Sequence, residues 1–254
     1  MTDKTKYIIK IIASILTILA IIGYGVFSLV QFGNYGTQNI CKNIQIKIVD
    51  DNDYKFIQPD DIITQLRESN LYPIGKTISY KKTNQIEKCL EAMNLVKRAE
   101  CYKKNNGDVV VCIYQRHPMF LVVNRNNGYY IDTERKKMPT SSKFTAWLPI
   151  VSGFVSEKFA KKDLYDFIVY IKNDEFWSIH FGQIYINQKQ EIELIARNGV
   201  YNIYLGKLNN YQDKLKKLRA WYEQYPEAAW GNKYSRVDLS YEKLIYCIKK
   251  QPYE

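Results

Sequence analysis

Residues 86–120 read "IEKCLEAMNLVKRAECYKKNNGDVVVCIYQRHPMF", and a three-residue stretch inside them decides the architecture. Asn105-Asn106-Gly107 separates "VKRAECY" from "DVVVCIYQR", and Asn-Gly between two strand-forming runs is a hairpin signal because both residues tolerate positive φ. Before the hairpin, Ile86, Leu90 and Met93 recur at spacings of four and three. That spacing predicts an amphipathic helix, with Thr83 placed to cap it.

Upstream, "IQIKIVD" from Ile44 alternates Ile44, Ile46 and Ile48 with Gln45 and Lys47, the period of a half-buried strand. Pro59 suits a first helical position, and Asp60 and Asp61 suit the positive end of a helix dipole. Ile62, Ile63 and Leu66 give that helix one apolar stripe before "SNLYPIG" stops it. The order is strand, helix, helix, strand, strand. Two helices then cover one face of a small sheet, with Ala99, Cys101, Val110, Cys112 and Tyr114 expected to point toward Leu66, Ile86 and Leu90.

Further toward the N-terminus, residues 11–41 hold no ionisable acid or base, and Ile11 to Val30 are nearly all apolar or small. A membrane helix needs about 20 such residues, whereas the apolar core of a cleaved signal has about 7 to 15. The small triplet Gly23-Tyr24-Gly25 lies inside the run, not after it, so retention is expected. Lys4, Lys6 and Lys10 against Asp3 place the tail on the cytoplasmic side and the remaining chain outside. Residues 33–43 are polar and read as a linker.

The chain has 254 residues with 37 Lys+Arg against 26 Asp+Glu, a net charge of +11. The tail accounts for +2, leaving +9 beyond it. The 22 tyrosines beside this charge raise a nucleic-acid reading, but the basic residues are dispersed and no nucleic-acid motif is present. Attraction to an anionic membrane surface is the milder consequence. Cys41, Cys89, Cys101, Cys112 and Cys247 make an odd count, so one thiol stays unpaired in a monomer. If Asn106-Gly107 alone forms the turn, Cys101 and Cys112 face each other with Cα atoms about 5.5 Å apart, within disulfide range. The alternative is two small core residues. No C-x-x-C occurs and His117 and His180 are far apart in sequence, so no metal site is expected.

Beyond His117-Pro118 the pattern is mostly strands: "MFLVVN", "GYYID", "EFWSIHF", "QIYIN", "EIELIAR" and "VYNIYLG", the last two joined at Asn198-Gly199. One helix begins near Ser156, with Leu164, Phe167, Ile168 and Ile171 on one face. Another begins near Asn210, with Tyr211, Leu215, Leu218, Tyr222 and Tyr225 on its face and Pro226 ending it. Its Lys214, Lys216, Lys217 and Arg219 read as a solvated surface. Val237–Ser240 and Leu244–Ile248 read as strands, the second with a good prospect of lying at a sheet edge. "LIYCI" holds no charge, Pro or Gly, the devices that keep an edge from pairing with a stranger. Leu244, Tyr246 and Ile248 would point one way, and Ile245 and Cys247 the other. An added strand could pair with such an edge; the competing reading is an interior strand paired on both sides.

No G-x-S-x-G, P-loop or H-E-x-x-H occurs. Asp51-Asn52-Asp53 begins like a calcium loop, but Lys55 takes the third ligand position. His180, read in a strand, has no complementary group that can be argued near it, so no cofactor or catalytic residue is expected.

These pieces in this order resemble the FtsQ/DivIB family of bacterial cell-division proteins, over nearly the whole chain. Residues 86–120 look like the second helix and hairpin of the family's POTRA module running into its "E-R-x-P" junction, with Gln115 in place of the Glu. "GYYID" resembles its "y-l-v-D" strand with Asp132 in place, although Arg135 stands where a turn Gly is common. "LPIVSG" (148–153) is close to "L-P-v-l-s-G". "YLGK" and "VDLSY" resemble "L-G-r" and "v-D-l-R-Y", with Ser240 replacing the Arg. The resemblance implies an α+β protein: tail 1–10, transmembrane helix 11–32, linker 33–43, POTRA domain 44–117 and a β-rich domain with two helices, 118–254. It further implies a non-enzymatic divisome component at the inner membrane and septum that holds FtsB-like and FtsL-like coiled-coil proteins through the C-terminal β region. Tyr241 and Lys207 match family positions near that surface and join Leu244, Ile245, Tyr246, Cys247 and Ile248 as candidates. The alternatives are an anchored envelope hydrolase or a POTRA-type export chaperone.

Overall fold

The computed structural model describes residues 3–33, 39–50, 54–124, 128–197, 201–227, 231 and 233–251. The described chain divides into two compact units, residues 1–49 with 57–114, and residues 50–56 with 115–254. Asp51-Asn52-Asp53 and Asn198-Gly199 lie outside the described residues.

In the first unit, helix α1 (Asp3–Gly33) contains Lys10–Val30, a segment long and apolar enough to cross a membrane. There follow β1 (Ile44–Ile48), α2 (Pro59–Glu68), α3 (Tyr80–Glu91), β2 (Val96–Lys103) and β3 (Val109–Gln115), and the sheet order is β1-β3-β2. The α2 start forms as its sequence dictates: Pro59 leads, and Asp61 and Gln58 cap each other's backbone. α3 is capped four residues earlier than the Thr83 reading predicts, at Ser79. Thr83 is instead inside the helix and buried, its hydroxyl donating to the Tyr80 carbonyl at 2.8 Å.

The hairpin corrects the expected register. Gly107 N–H donates to Lys104 O at 2.9 Å and Lys104 N–H to Asp108 O at 2.8 Å, so the loop has three residues, 105–107, with Gly107 at φ 96°. Counting outward puts Cys101 opposite Val111 and Cys112 opposite Glu100, on opposite faces. The disulfide does not form, and all five cysteines are free thiols. The helix-facing residues of β3 are therefore Val109, Val111 and Ile113, in register with Ile44, Ile46 and Ile48, rather than Val110, Cys112 and Tyr114. Tyr114 lies on the other face, where Arg98 stacks on its ring at 5.3 Å. The outward N–H groups of β2 are not left bare: Glu87 accepts from Cys101 N at 2.8 Å and Glu91 from Ala99 N at 3.3 Å.

The second unit is one nine-stranded sheet with helices on one face. Its elements are β4 (Pro118–Val123), β5 (Gly128–Asp132), β6 (Lys137–Pro139), β7 (Ile150–Gly153), α4 (Glu157–Lys161), α5 (Asp163–Asn173), α6 (Glu175–His180), β8 (Phe181–Ile186), β9 (Ile192–Ala196), β10 (Asn202–Gly206), α7 (Tyr211–Gln224), β11 (Tyr234–Asp238) and β12 (Tyr246–Lys249). The sheet order is β12-β11-β10-β9-β8-β7-β4-β5-β6. β7 and β8 are parallel, as are β10 and β11. These two pairs, each joined through helices, step in the same direction, so right-handed crossovers put α4–α6 and α7 on the same face; β4 and β7 are parallel as well. The core lies there: Phe120, Val151, Ile184, Leu194, Ile203 and Val237 from the sheet against Phe167, Ile168, Leu215 and Leu218.

Two expectations change here. "EFWSIH" is helix α6, not a strand, because Asp174 accepts from the N–H groups of Phe176 and Trp177 at 3.0 Å and so starts a helical turn. The helix from Ser156 is broken at Lys162 (φ −117°, ψ −102°) into α4 and α5.

Gly153 is fixed by sterics: at φ 98°, a Cβ would lie 2.1 Å from the Ile186 carbonyl oxygen. Arg135, where a glycine was the common residue, takes the same left-handed region at φ 64°. Its strain is offset by stacking on Tyr165 at 4.3 Å and by an ion pair to Asp166.

Candidate functional site

β12 is the outermost strand of the large sheet, antiparallel to β11 with Cys247 opposite Val237 and Tyr246 opposite Asp238. Among the described residues, no strand pairs with its outer side. The alternation read from "LIYCI" is present: Ile245 and Cys247 pack against the core, while Leu244, Tyr246 and Ile248 are 54%, 55% and 42% exposed. Burial pushes the Cys247 thiol pKa up, so it stays a neutral packing group. Tyr241 lies edge-to-face against Tyr246, ring centroids 6.4 Å apart.

The lead-in to β12 is held by a residue that the sequence placed in solvent. Lys217 on α7 donates to the carbonyl oxygens of Tyr241, Leu244 (3.1 Å) and Glu242 (3.4 Å). Lys214, one turn earlier, donates to Leu205 O at 3.0 Å and Lys207 O at 2.8 Å. Burial lowers both ammonium pKa values. Positions 214 and 217 flank the buried Leu215 and Leu218, so their long stems run along the buried stripe and their heads reach loop carbonyls. Lys216 and Arg219 do stay on the surface. The signal for the inward pair was present in that adjacency.

Lys207 stands at the end of β10, two strands in from β12. Its side chain lines a separate cleft of about 550 Å3 with Asp163, Asp166, Lys189 and Tyr211. The structure thus gathers Tyr241 and residues 244–248 at one border and sets Lys207 on another surface. Beside β12, Arg236, which sequence reasoning missed, stands opposite Ile248, stacks on Tyr204 at 4.2 Å and lies 3.9 Å from Glu193.

The junction motif is structural. Arg116 pairs with Asp132 at 2.9 Å, and Asp132, 1% exposed, also accepts the N–H groups of Glu134 (2.9 Å) and Lys136 (2.7 Å). Gln115 is fully buried and donates Nε2 to Tyr54 O at 2.7 Å, a bond that an ionised Glu cannot make. Ser240 closes the turn after β11, with its N–H and Oγ both on Asp238 Oδ1 at 2.8 and 2.6 Å. His117 pairs with Asp50 at 2.7 Å. His180 ends α6 in the core, 2.7 Å from the Tyr222 hydroxyl, which in turn meets Tyr201 at 2.6 Å. Burial lowers the His180 pKa to about 4, so the ring is neutral. Among the described residues there is no cluster of three or more His, Cys, Asp or Glu able to hold a metal ion.

An N-terminal helix long and apolar enough to cross a membrane, a small β-α-α-β-β unit and a larger sheet bordered by β12 and the short β6 define a protein of several parts whose exposed features suit binding. Two domain families match in that order: a POTRA-like domain over residues 39–114 and "FtsQ/DivIB, C-terminal related" over residues 117–248. The chain belongs to the FtsQ/DivIB family, a family of non-catalytic division scaffolds, and is a cell-division protein. No curated protein shows a significant match to it.

Proposed function

We propose that this protein is a divisome scaffold that captures FtsB-like and FtsL-like coiled-coil proteins by adding a partner strand to β12, and thereby couples them to septal peptidoglycan synthesis. It acts without catalysis, as a single-pass protein of the inner membrane with its tail in the cytoplasm and both units outside, at the septum. The reading rests on one observation above others: β12 is an outermost strand, and the stretch 244–248 that leads into and through it carries no charge and exposes Leu244, Tyr246 and Ile248. Main-chain bonds to such an edge supply affinity, and alternate side-chain contacts supply selectivity. Tyr241, Leu244, Tyr246 and Ile248 form the contact row; Ile245 and Cys247 hold the strand to the core. Lys207, on its separate surface, is at most a second contact.

The test is a pull-down from solubilised membranes, with the full chain and with Leu244–Glu254 removed, while the fold of the membrane-proximal unit is followed by protease resistance. Loss of the coiled-coil partner with that unit intact is expected. Undiminished capture by the truncated chain overturns the site.

A further inference from the structure

We infer that one end of the first unit is a docking patch for an anionic lipid surface. This goes beyond the scaffold reading and rests only on α1 being the membrane anchor.

The patch is assembled by topology. The chain leaves α1 at Gly33, and Asn39, six residues on, lies within about 20 Å of it by contour length alone. Ile40 then bridges to Thr77, Cys41 N–H donates to Lys76 O at 3.0 Å, and Gly75 N–H donates to Cys41 O at 2.9 Å. Asn39 Nδ2 donates to Asn105 O at 2.9 Å, which ties in the tip of the β2–β3 hairpin. The first turn of α3 falls at the same end, because Glu87 meets Cys101 and Glu91 meets Ala99, so the α3 start runs toward that tip. Entry segment, 70–82 loop, helix start and hairpin tip therefore share one end, and that end is the one nearest the anchor.

What they expose there is amphipathic. Ile40 is 53%, Ile74 39% and Tyr80 86% exposed, three large apolar side chains with no core to serve. Around them Lys42, Lys76, Lys81, Lys82 and Lys104 are exposed. The ammonium groups of Lys76 and Lys104 reach only neutral acceptors, Asn70 O at 3.3 Å and Gln45 Oε1 at 3.2 Å. Within residues 39–43, 70–82 and 104–108 the single acid is Asp108. Its oxygens accept from Asn43 N at 3.0 Å and Asn106 Nδ2 at 2.8 Å, within the loops. Five cations against one anion, mixed with Ile and Tyr, match an anionic bilayer surface: lysines meet headgroup phosphates, and the tyrosine ring takes the headgroup depth where aromatic belts form.

The experiment uses the full chain with a photoreactive benzoylphenylalanine at Tyr80 or, as control, at Asn94. Asn94 is exposed in the turn between α3 and β2 at the opposite end of the same unit. Each is reconstituted into phosphatidylcholine vesicles with and without phosphatidylglycerol. Lipid adducts at position 80 should rise at least about threefold with phosphatidylglycerol and exceed those at position 94; high salt or Lys81→Glu with Lys82→Glu should remove the rise. Equal yields at positions 80 and 94, or a yield at 80 that ignores lipid charge and salt, overturns the patch. Resistance of the same preparations to alkaline extraction reports on α1 alone, so failure of the anchor is told apart from failure of the patch.

Discussion

Acid should weaken the second unit through His180 in a way that one substitution removes. The imidazole is 8% exposed, packed against Phe176 at 5.1 Å and bonded to Tyr222, and burial lowers its pKa from 6.5 to about 4. Above pH 6.5 the ring is neutral both folded and unfolded, and stability does not depend on it. As pH falls below 6.5 the unfolded chain binds a proton that the folded chain refuses, so stability drops until the folded group also titrates near pH 4. The full span corresponds to about 3 kcal/mol, with a slope approaching about 1.4 kcal/mol per pH unit. Urea unfolding of the detergent-solubilised chain, followed by tryptophan fluorescence at stepped pH between 7 and 4, measures this against His180→Gln. Trp177, in edge contact with His180 at 5.6 Å, reports locally. Other titrating groups are common to both proteins and cancel in the difference. The wild type should start more stable and lose its lead as the pH falls. A difference that stays constant over that range refutes the reasoning.

Gly153→Ala should destabilise the second unit by roughly 3 kcal/mol or more, since the added Cβ meets Ile186 O and φ is positive; thermal unfolding checks it. Lys217→Met removes the ammonium that gathers the Tyr241–Leu244 carbonyls, so hydrogen exchange in residues 241–246 should rise and partner capture fall while α7 remains helical. Asp132→Ala leaves Arg116 without its closest partner and two turn N–H groups unsatisfied, a loss of about 3 kcal/mol by urea unfolding. Glu87→Ala with Glu91→Ala bares two outward N–H groups of β2, and light scattering of the solubilised chain should show self-association that the parent lacks.

The first unit was legible because its signals are local: Pro59 with two aspartates, the Ile86–Leu90–Met93 spacing and Asn-Gly each specify their element within a few residues. The alternation of residues 244–248 was legible for the same reason. The hairpin register was not, since it depends on whether the turn takes two residues or three, and one residue moves Cys112 to the other face. "EFWSIH" has the aromatic and β-branched content of a strand, and only the Asp174 cap, one residue outside the stretch, makes it helical. Lys214 and Lys217 look solvated in one dimension because the carbonyls they bind come from residues 205–207 and 241–244, which the sheet brings to α7.

The two borders of the nine-stranded sheet differ in kind. β6 is three residues long and carries Pro139, whose nitrogen has no hydrogen to offer, so it makes a poor template. Of these two borders, among the described residues, β12 is the one suited to accept a strand. Through this sheet each copy is thus monovalent for this kind of pairing: a guest strand and a second copy compete for one berth, and the stoichiometry there stops at one added strand.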